Sequence, residues 1–317
     1  MSVLSKPYFH DEAAAFEYLE SVVWQDGTVC PHCGNAEQSR MYRIKANPEK
    51  RVRHGLWKCA ECRKQFTAKI GSIFEHARIP MHKILQAVYL MACSKKGISA
   101  HQLSRILEIT YKSAWFLAHR IREAMRSGDL SPFGGEGETV EVDETFIGHD
   151  YDVKPKYEKK GRGYAHKFKV LTLVDRRGQA RSMVVDDLKM STIVPILKEN
   201  IDAETRVVTD EAGQYKFLNR DFAEHEFVRH GQGEYGRGPI HTNTIEGYFS
   251  IFKRGMKGVY QHCAKKHLHR YLAEFDFRYN NREKLGINDG ARAIRALHGI
   301  VGKRLTYRDS PMAPSQA

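Results

Sequence analysis

The chain has 317 residues, 41% of them hydrophobic, and its 51 Lys and Arg outnumber 38 Asp and Glu for a formal net charge of +13. That apolar content excludes a disordered chain, and the length admits a catalytic domain with one or two small modules. The basic excess favours a polyanionic partner over the plainer reading of a soluble basic protein, because each cation docked on a phosphate releases a condensed counterion. No run of about 18 apolar residues occurs, so no membrane span is expected. Met1 to His10 lacks the apolar core of a secretion signal, and the expected site of action is the cytoplasm.

Residues 10–70 begin with a helix expected over Asp11 to Val23, where Phe16, Leu19 and Val23 recur at helical spacing. Two cysteine pairs follow, Cys30-Pro-His-Cys33-Gly34 and Cys59-Ala-Glu-Cys62, with 25 residues between them. In a reducing compartment such pairs point to metal rather than to disulfides. Four thiolates are what a closed tetrahedral site needs, so Cys30, Cys33, Cys59 and Cys62 are expected to hold a structural Zn²⁺ in a zinc ribbon. Gly34 suits a knuckle that bends at positive φ. The basic gap (Arg40, Arg43, Lys45, Lys50, Arg51, Arg53, His54) is expected to form a β-hairpin finger, with Trp57 and Phe66 covering a miniature core. His32 is not expected to ligate. Cys93 and Cys263 read as small apolar residues in packed positions.

Residues 78–127 read as helices. Ser99 with Gln102 forms a capping-box pattern, and Leu103, Ile106 and Leu107 make one apolar face. Glu108-Ile109 turns the chain, and Thr110 caps a second helix from Tyr111 to about Met125, with Ala114, Trp115, Leu117, Ala118 and Ile121 inward. This is a helix-turn-helix pattern, although any αα-hairpin of a plain bundle would share it. As a DNA reader, its second helix would bring Tyr111, Lys112 and Ser113 to base edges and Arg120, Arg122 and Arg126 to phosphates.

A breaker-rich linker, Ser127 to Gly137, leads into a mixed α/β region over 137–302. Strands are expected at Thr139–Asp143, His166–Asp175, Ala180–Val185, Thr205–Asp210 and Glu226–His230. Helices are expected at Thr192–Ile201, Ala212–Asn219 and from Thr244 onward. That order is the order of an RNase H-like fold, in which the first and fourth strands are neighbours. Asp143 and Asp210 would then share a site, with Glu246 as a third carboxylate. Like charges so close need a cation between them, and an oxygen-only set suits Mg²⁺ or Mn²⁺. Lys253, seven residues after Glu246, shares its helix face and could hold a phosphate, with Arg254 beside it on DNA. Against this, each Asp ends an apolar strand, where turn formers are common, and Asn243 with Glu246 is spaced as a helix-capping pair. Glu141, Glu144 and Glu211 are neighbouring acids that could be mistaken for ligands. The basic stretch Lys154 to Lys169 is either a DNA grip or a solvated loop. His230, His241 and Tyr215 are candidates to line the site. The tail from Asp309 reads as loose.

Several stretches together resemble the insertion-sequence transposases of the ISXO-type group, which join a zinc ribbon to a DDE domain. They are CPHCGN (Cys30 to Asn35), WKCAECRKQFT (Trp57 to Thr67), KSAWFLAHRIREAM (Lys112 to Met125), VEVDETFIG (Val140 to Gly148), VVTDEAGQY (Val207 to Tyr215), HTNTIEGYFSIFKRGMKGVY (His241 to Tyr260) and HLHRYLAEFDFRYNNR (His267 to Arg282). The resemblance covers about residues 10–285. It implies an enzyme that cuts at the ends of a DNA element and joins the freed 3′-OH to target DNA in one metal-dependent site. Asp143 and Asp210 are then the first two ligands. Glu246 is favoured as the third because of Lys253, with Asn243 as the alternative.

Two other functions compete. One is a DNA-binding regulator that keeps the fold and has lost chemistry, against which the presence of Asp143, Asp210, Glu246 and Lys253 argues. The other is a structure-selective nuclease, against which the ribbon and the helix-turn-helix argue. Double-stranded DNA (terminal repeats and target) is the expected partner. A dimer or larger assembly and association with the nucleoid are expected from the chemistry of joining two ends.

Overall fold

A computed structural model of the chain describes residues 2–150, 164, 166–234 and 236–306. Most of the basic stretch 154–169 and the tail from Asp309 lie outside the described residues. The chain divides into two units. One takes residues 1–126 together with 286 onward, and the other takes residues 127–285.

The first unit holds α1 (Glu12–Val23), β1 (Met41–Ile44), β2 (Leu56–Cys59), β3 (Gln65–Phe66), α2 (Met81–Cys93), α3 (Ala100–Leu107) and α4 (Tyr111–Met125). Asp11, expected as the first residue of the helix, is its cap, accepting the amide of Ala13 at 2.9 Å. Phe16, Leu19 and Val22 face inward from α1, each burial contributing about 2 kcal/mol. The expected hairpin is present: β1 runs antiparallel to β2, with Met41 opposite Cys59 and Ile44 opposite Leu56. β3 closes the small sheet against Trp57 and Lys58. Ser99 and Thr110 cap α3 and α4 by accepting the amides of Gln102 (3.1 Å) and Ser113 (3.3 Å). Between the two helices Glu108 takes a left-handed conformation, φ 51°, which turns the chain in three residues.

The last helix of the chain, Asp289–His298, departs from the sequence expectation of one segment over 137–302. It packs with α1, α2 and α4 in the first unit. Ala293, Ala296 and Leu297 are its buried face. Periodicity shows that this helix has an apolar side, but not which core the side enters.

The second unit holds β4 (Thr139–Ile147), β5 (Phe168–Asp175), β6 (Ala180–Val185), α5 (Met190–Asn200), β7 (Arg206–Thr209), β8 (Glu224–Phe227), α6 (Asn243–Gly255) and α7 (Lys265–Asn280). The Asp289–His298 helix is thus α8. The strands form one mixed sheet in the order β6-β5-β4-β7-β8. β4, β5 and β6 are antiparallel neighbours, whereas β7 runs parallel to β4, and β8 to β7. Both faces are covered, which is why β5 reads as an almost unbroken apolar run. Val170 and Val174 face Ile245, Phe249 and Phe252 of α6 and Leu268 and Phe275 of α7. Leu171 and Leu173 face the other way with Val140, Val142 and Val207, against Ile193 and Leu197 of α5. Asp276 of α7 ties the edge strand down by accepting the amide of Ser182 at 2.8 Å.

Other elements differ from expectation, and β4 runs four residues past Asp143, which therefore sits inside its strand rather than at its end. The helix expected over Ala212–Asn219 is two 3₁₀ turns, Gly213–Tyr215 and Leu218–Arg220. The fifth strand lies two to three residues earlier than its expected Glu226–His230. A five-residue π-helical turn, Met256–Tyr260, extends α6. Among the described residues no helix is long and apolar enough to cross a membrane.

Candidate active site and zinc site

The four cysteines converge from the two knuckles. Cys30 Sγ lies 3.7 Å from Cys62 Sγ, and Cys33 Sγ lies 3.7 Å from Cys59 Sγ. All four sulfurs are within 4.8 Å of one another. A tetrahedron with Zn–S bonds of about 2.3 Å has edges of about 3.8 Å, so this quartet fits zinc. Gly34 adopts φ +74°, the bend expected of the knuckle. The backbone amide of Cys62 draws the Cys59 thiol down to about 7, while its neighbour Cys33 is pushed up to about 12, so only a metal lets all four sulfurs ionise together. Phe66 and Met41 are buried against the cysteines, with Trp57 and Trp24 packed beside them. His32 stands outside the quartet, its Nε2 3.3 Å from the carbonyl of Gln65.

The carboxylate site is built differently. Parallel pairing sets Val140 beside Val207 and Glu141 beside Val208. Carried two residues further, that register brings Asp143 beside Asp210, on the face that α6 covers. The Asp143 carboxyl is pushed up to about 8 by burial first, then by the charges of Glu144 and Asp210, while Lys253 acts in the opposite sense. Asp143, Asp210 and Lys253 are therefore electrostatic neighbours. Lys253 opens onto a groove that it shares with Glu144, Phe146, Tyr164, Lys167 and Lys257.

Glu246 takes another position. It is half exposed in the first turn of α6, with Thr242 Oγ1 donating to it at 3.3 Å and His230 Nε2 lying 3.6 Å away. Among the described residues, the cysteine quartet is the only set of three or more His, Cys, Asp or Glu ligand atoms all within 4.8 Å of one another. Asp143, Asp210 and Glu246 thus stand open. Oxygen donors of this kind fit Mg²⁺ or Mn²⁺ in chemistry. The rival reading of Asn243 and Glu246 as a capping pair is not met, because Thr242, not Asn243, is the N-cap and Asn243 is exposed.

Comparison with known proteins adds the family. The ISXO2-like transposase domain matches residues 135–280, and the transposase zinc-ribbon domain matches residues 10–65. The chain is thus similar to ISXO2-like transposases over both stretches. A protein in the transposable element ISH50 of Halobacterium salinarum is 28% identical over 288 residues, 85% of this chain and 91% of that one. A transposase-like protein of Haemophilus influenzae is 26% identical over 102 residues, 32% of this chain and 81% of that one. A simian T-cell lymphotropic virus intasome, solved with the PP2A regulatory subunit B56 gamma, aligns at a TM-score of 0.27 and 13% identity, over 60% of this chain and 66% of that one. That likeness is too slight to bear on the fold.

The residues expected to contact DNA in this chain divide in two. Tyr111 and Lys112 are exposed at the start of α4, Tyr111 stacked on His101 at 4.2 Å, and Ser113 is half-buried. Arg120 and Arg122, expected on phosphates, are buried at 8% and 2%. They fall on the part of α4 that packs inward with Leu117, Ile121 and Met125, so the correction is one of helix face. Arg126 is exposed and paired with Glu123 at 3.1 Å. Arg254 is exposed on α6, donating to Ser250 Oγ at 2.7 Å.

Two acids set aside in the sequence hold the carboxylate site together. Glu141 is fully buried against the start of α6. Glu144, on the opposite sheet face from Asp143, accepts from Tyr215 Oη at 2.5 Å and Gln214 Nε2 at 2.6 Å. That binds β4 to the turn that follows Asp210. The signal for Glu141 was a Glu between two valines inside a strand, since a buried carboxylate must find donors; Glu144, between Asp143 and Thr145, carried no such signal.

Proposed function

We propose that this chain is a catalytically active transposase, binding the ends of its element and performing metal-dependent DNA cleavage and strand transfer. The observation that carries this is the parallel register of β4 and β7, which supports Asp143 and Asp210 as a ligand pair with Lys253 at hand. The strand order and directions support the reading of this unit as RNase H-like. Asp143 and Asp210, with Glu246 as third ligand, would hold Mg²⁺ or Mn²⁺. Such ions supply activation of the attacking oxygen and stabilisation of the leaving 3′ oxygen. Lys253 holds the phosphate beside the acids, and Arg254 grips the flanking backbone. Glu246 reaches the pair by a side-chain swing away from Thr242 and His230 when metal and DNA are bound.

The pair α3 and α4 acts as the helix-turn-helix, with Tyr111, Lys112 and Ser113 toward base edges. The zinc ribbon, whose finger is basic, adds phosphate contacts. Joining two ends requires at least two copies of the chain, acting at the nucleoid.

The test is a crystal soaked with Mn²⁺. Oxygens of Asp143 and Asp210 at about 2.0–2.4 Å from the ion, with Glu246 alongside, support the enzyme. Asn243 in place of Glu246 keeps the enzyme and changes the third ligand. No ion between the two aspartates, with or without DNA, overturns the catalytic reading in favour of a DNA-binding regulator.

A further inference from the structure

Glu141 stands two residues before Asp143 on β4 and is wholly inaccessible to solvent. Its carboxylate accepts from the amides of Thr244 (3.0 Å) and Ile245 (2.9 Å) and from the Thr244 hydroxyl (2.8 Å). Arg176 Nε donates to it from the β5–β6 turn at 3.1 Å. His241 Nδ1 lies 3.3 Å away, and Arg176 also donates to the His241 carbonyl at 3.1 Å. A carboxylate offers about four acceptor positions, and four donors fill them. Glu141 is therefore spent on the protein and has nothing left for a metal.

Helix α6 needs this acceptor. Its N-cap residue, Thr242, makes no side-chain cap bond, and an uncapped start leaves first-turn amides without partners. A negative charge is favoured at that end of the helix as well. The cap comes from the strand that carries Asp143, and the helix it fixes carries Glu246 and Lys253.

We propose that Glu141 is a positioning residue of the transposase: a capping carboxylate, supplied by the strand of Asp143, that registers Glu246 and Lys253 against that aspartate. This rests on the catalytic reading above, in which the three act together. Glu141→Gln keeps the length of the side chain but turns an amide toward two of the four donors, so the start of α6 loosens while the two aspartates stay in place.

The test uses the full chain, with Mn²⁺ alone as the metal probe and supercoiled plasmid as DNA. Hydrogen exchange is read at the amides of Thr244 and Ile245. Mn²⁺ stoichiometry counts folded sites, and plasmid nicking gives kcat and KM. In Glu141→Gln those amides should exchange at least ~10-fold faster while α7 keeps its wild-type rate. Mn²⁺ stoichiometry should be unchanged, kcat should fall ~10- to 100-fold, and KM for DNA should stay within about twofold. A role in folding alone would lower Mn²⁺ stoichiometry in step with activity and would overturn the proposal. So would wild-type exchange at the two amides, or faster exchange with kcat unchanged. If wild type and Asp143→Asn nick alike, the catalytic reading falls and the positioning role with it, while exchange still reports whether Glu141 anchors α6. Should Glu141→Gln not fold, Thr244→Val removes a single donor and carries the same comparison, with an expected ~3-fold loss in kcat.

Discussion

The cysteine site and the carboxylate site show two ways of assembling ligands. Each CxxC knuckle brings two sulfurs together within four residues, and one hairpin brings the knuckles together. The quartet closes with sulfurs 3.7 Å apart. The carboxylate site draws Asp143, Asp210 and the Glu246–Lys253 face from β4, the end of β7 and α6. It closes only as far as a register and a buried cap can bring it. A site made of local turns is near its final geometry once the turns form. A site made of three elements inherits the packing of all three, and in this chain its first two acids meet while the third stands with Thr242 and His230. Structural sites gain from closure, whereas the site proposed to act on DNA needs an open side.

The largest effect should come from breaking the closed site. Cys59→Ser, or a strong chelator, removes a metal whose binding contributes on the order of 10 kcal/mol to folding. Amide protection in β1 and β2 should vanish with the zinc. A ribbon that stays folded with no metal would end the contrast drawn here.

Next is Asp143→Asn. Plasmid nicking in Mn²⁺ should fall by at least ~10³-fold, about 4 kcal/mol in the barrier. Above about pH 8, where the Asp143 carboxyl raised by burial ionises beside Glu144 and Asp210, the melting temperature should hold or rise because the change removes that charge; below about pH 8 the carboxyl is already mostly neutral and the melting temperature should stay the same. A clear drop in melting temperature would mean that Asp143 is structural, and the two sites would differ less than proposed.

Helix α4 allows the same division to be tested on one element. Arg122→Ala at its buried position should cost about 3 kcal/mol in a denaturant melt. Lys112→Ala at the exposed start should leave the melt alone and lower the salt slope of DNA binding by about one. The reverse pattern would restore Arg122 as a phosphate contact. The smallest effect is Tyr215→Phe, which deletes the bond to Glu144. It should cost about 1 kcal/mol of stability and loosen the turn that follows Asp210, visible as faster exchange at Ala212. Unchanged exchange there would show that Glu144 does not brace that turn.

Much of this was legible in the chain. The cysteine spacing, the Ser99 and Thr110 caps and the edges of β6 needed only local chemistry, since each involves residues a few positions apart. Asp143 and Asp210 were legible as a pair because the order of strands implied their neighbourhood. The error at Arg120 and Arg122 has a specific cause: α4 packs on more than one side, so its polar residues do not mark its outer face. The exchange of α8 into the first unit was illegible for a similar reason, an amphipathic helix being indifferent to which apolar core receives it.

Composition and spacing by themselves determined that the chain is a basic, multi-part protein with a four-thiolate metal site and an acid-bearing α/β segment. Those features follow from residue type and short-range geometry, which the order of residues states outright. The tertiary structure decided what Glu141, Glu144, Arg120 and Arg122 do. Glu141 and Thr244 lie 103 residues apart, and no local pattern links them. A buried charge takes its role from whichever donors packing brings to it, and packing is a property of the whole sheet and its helices.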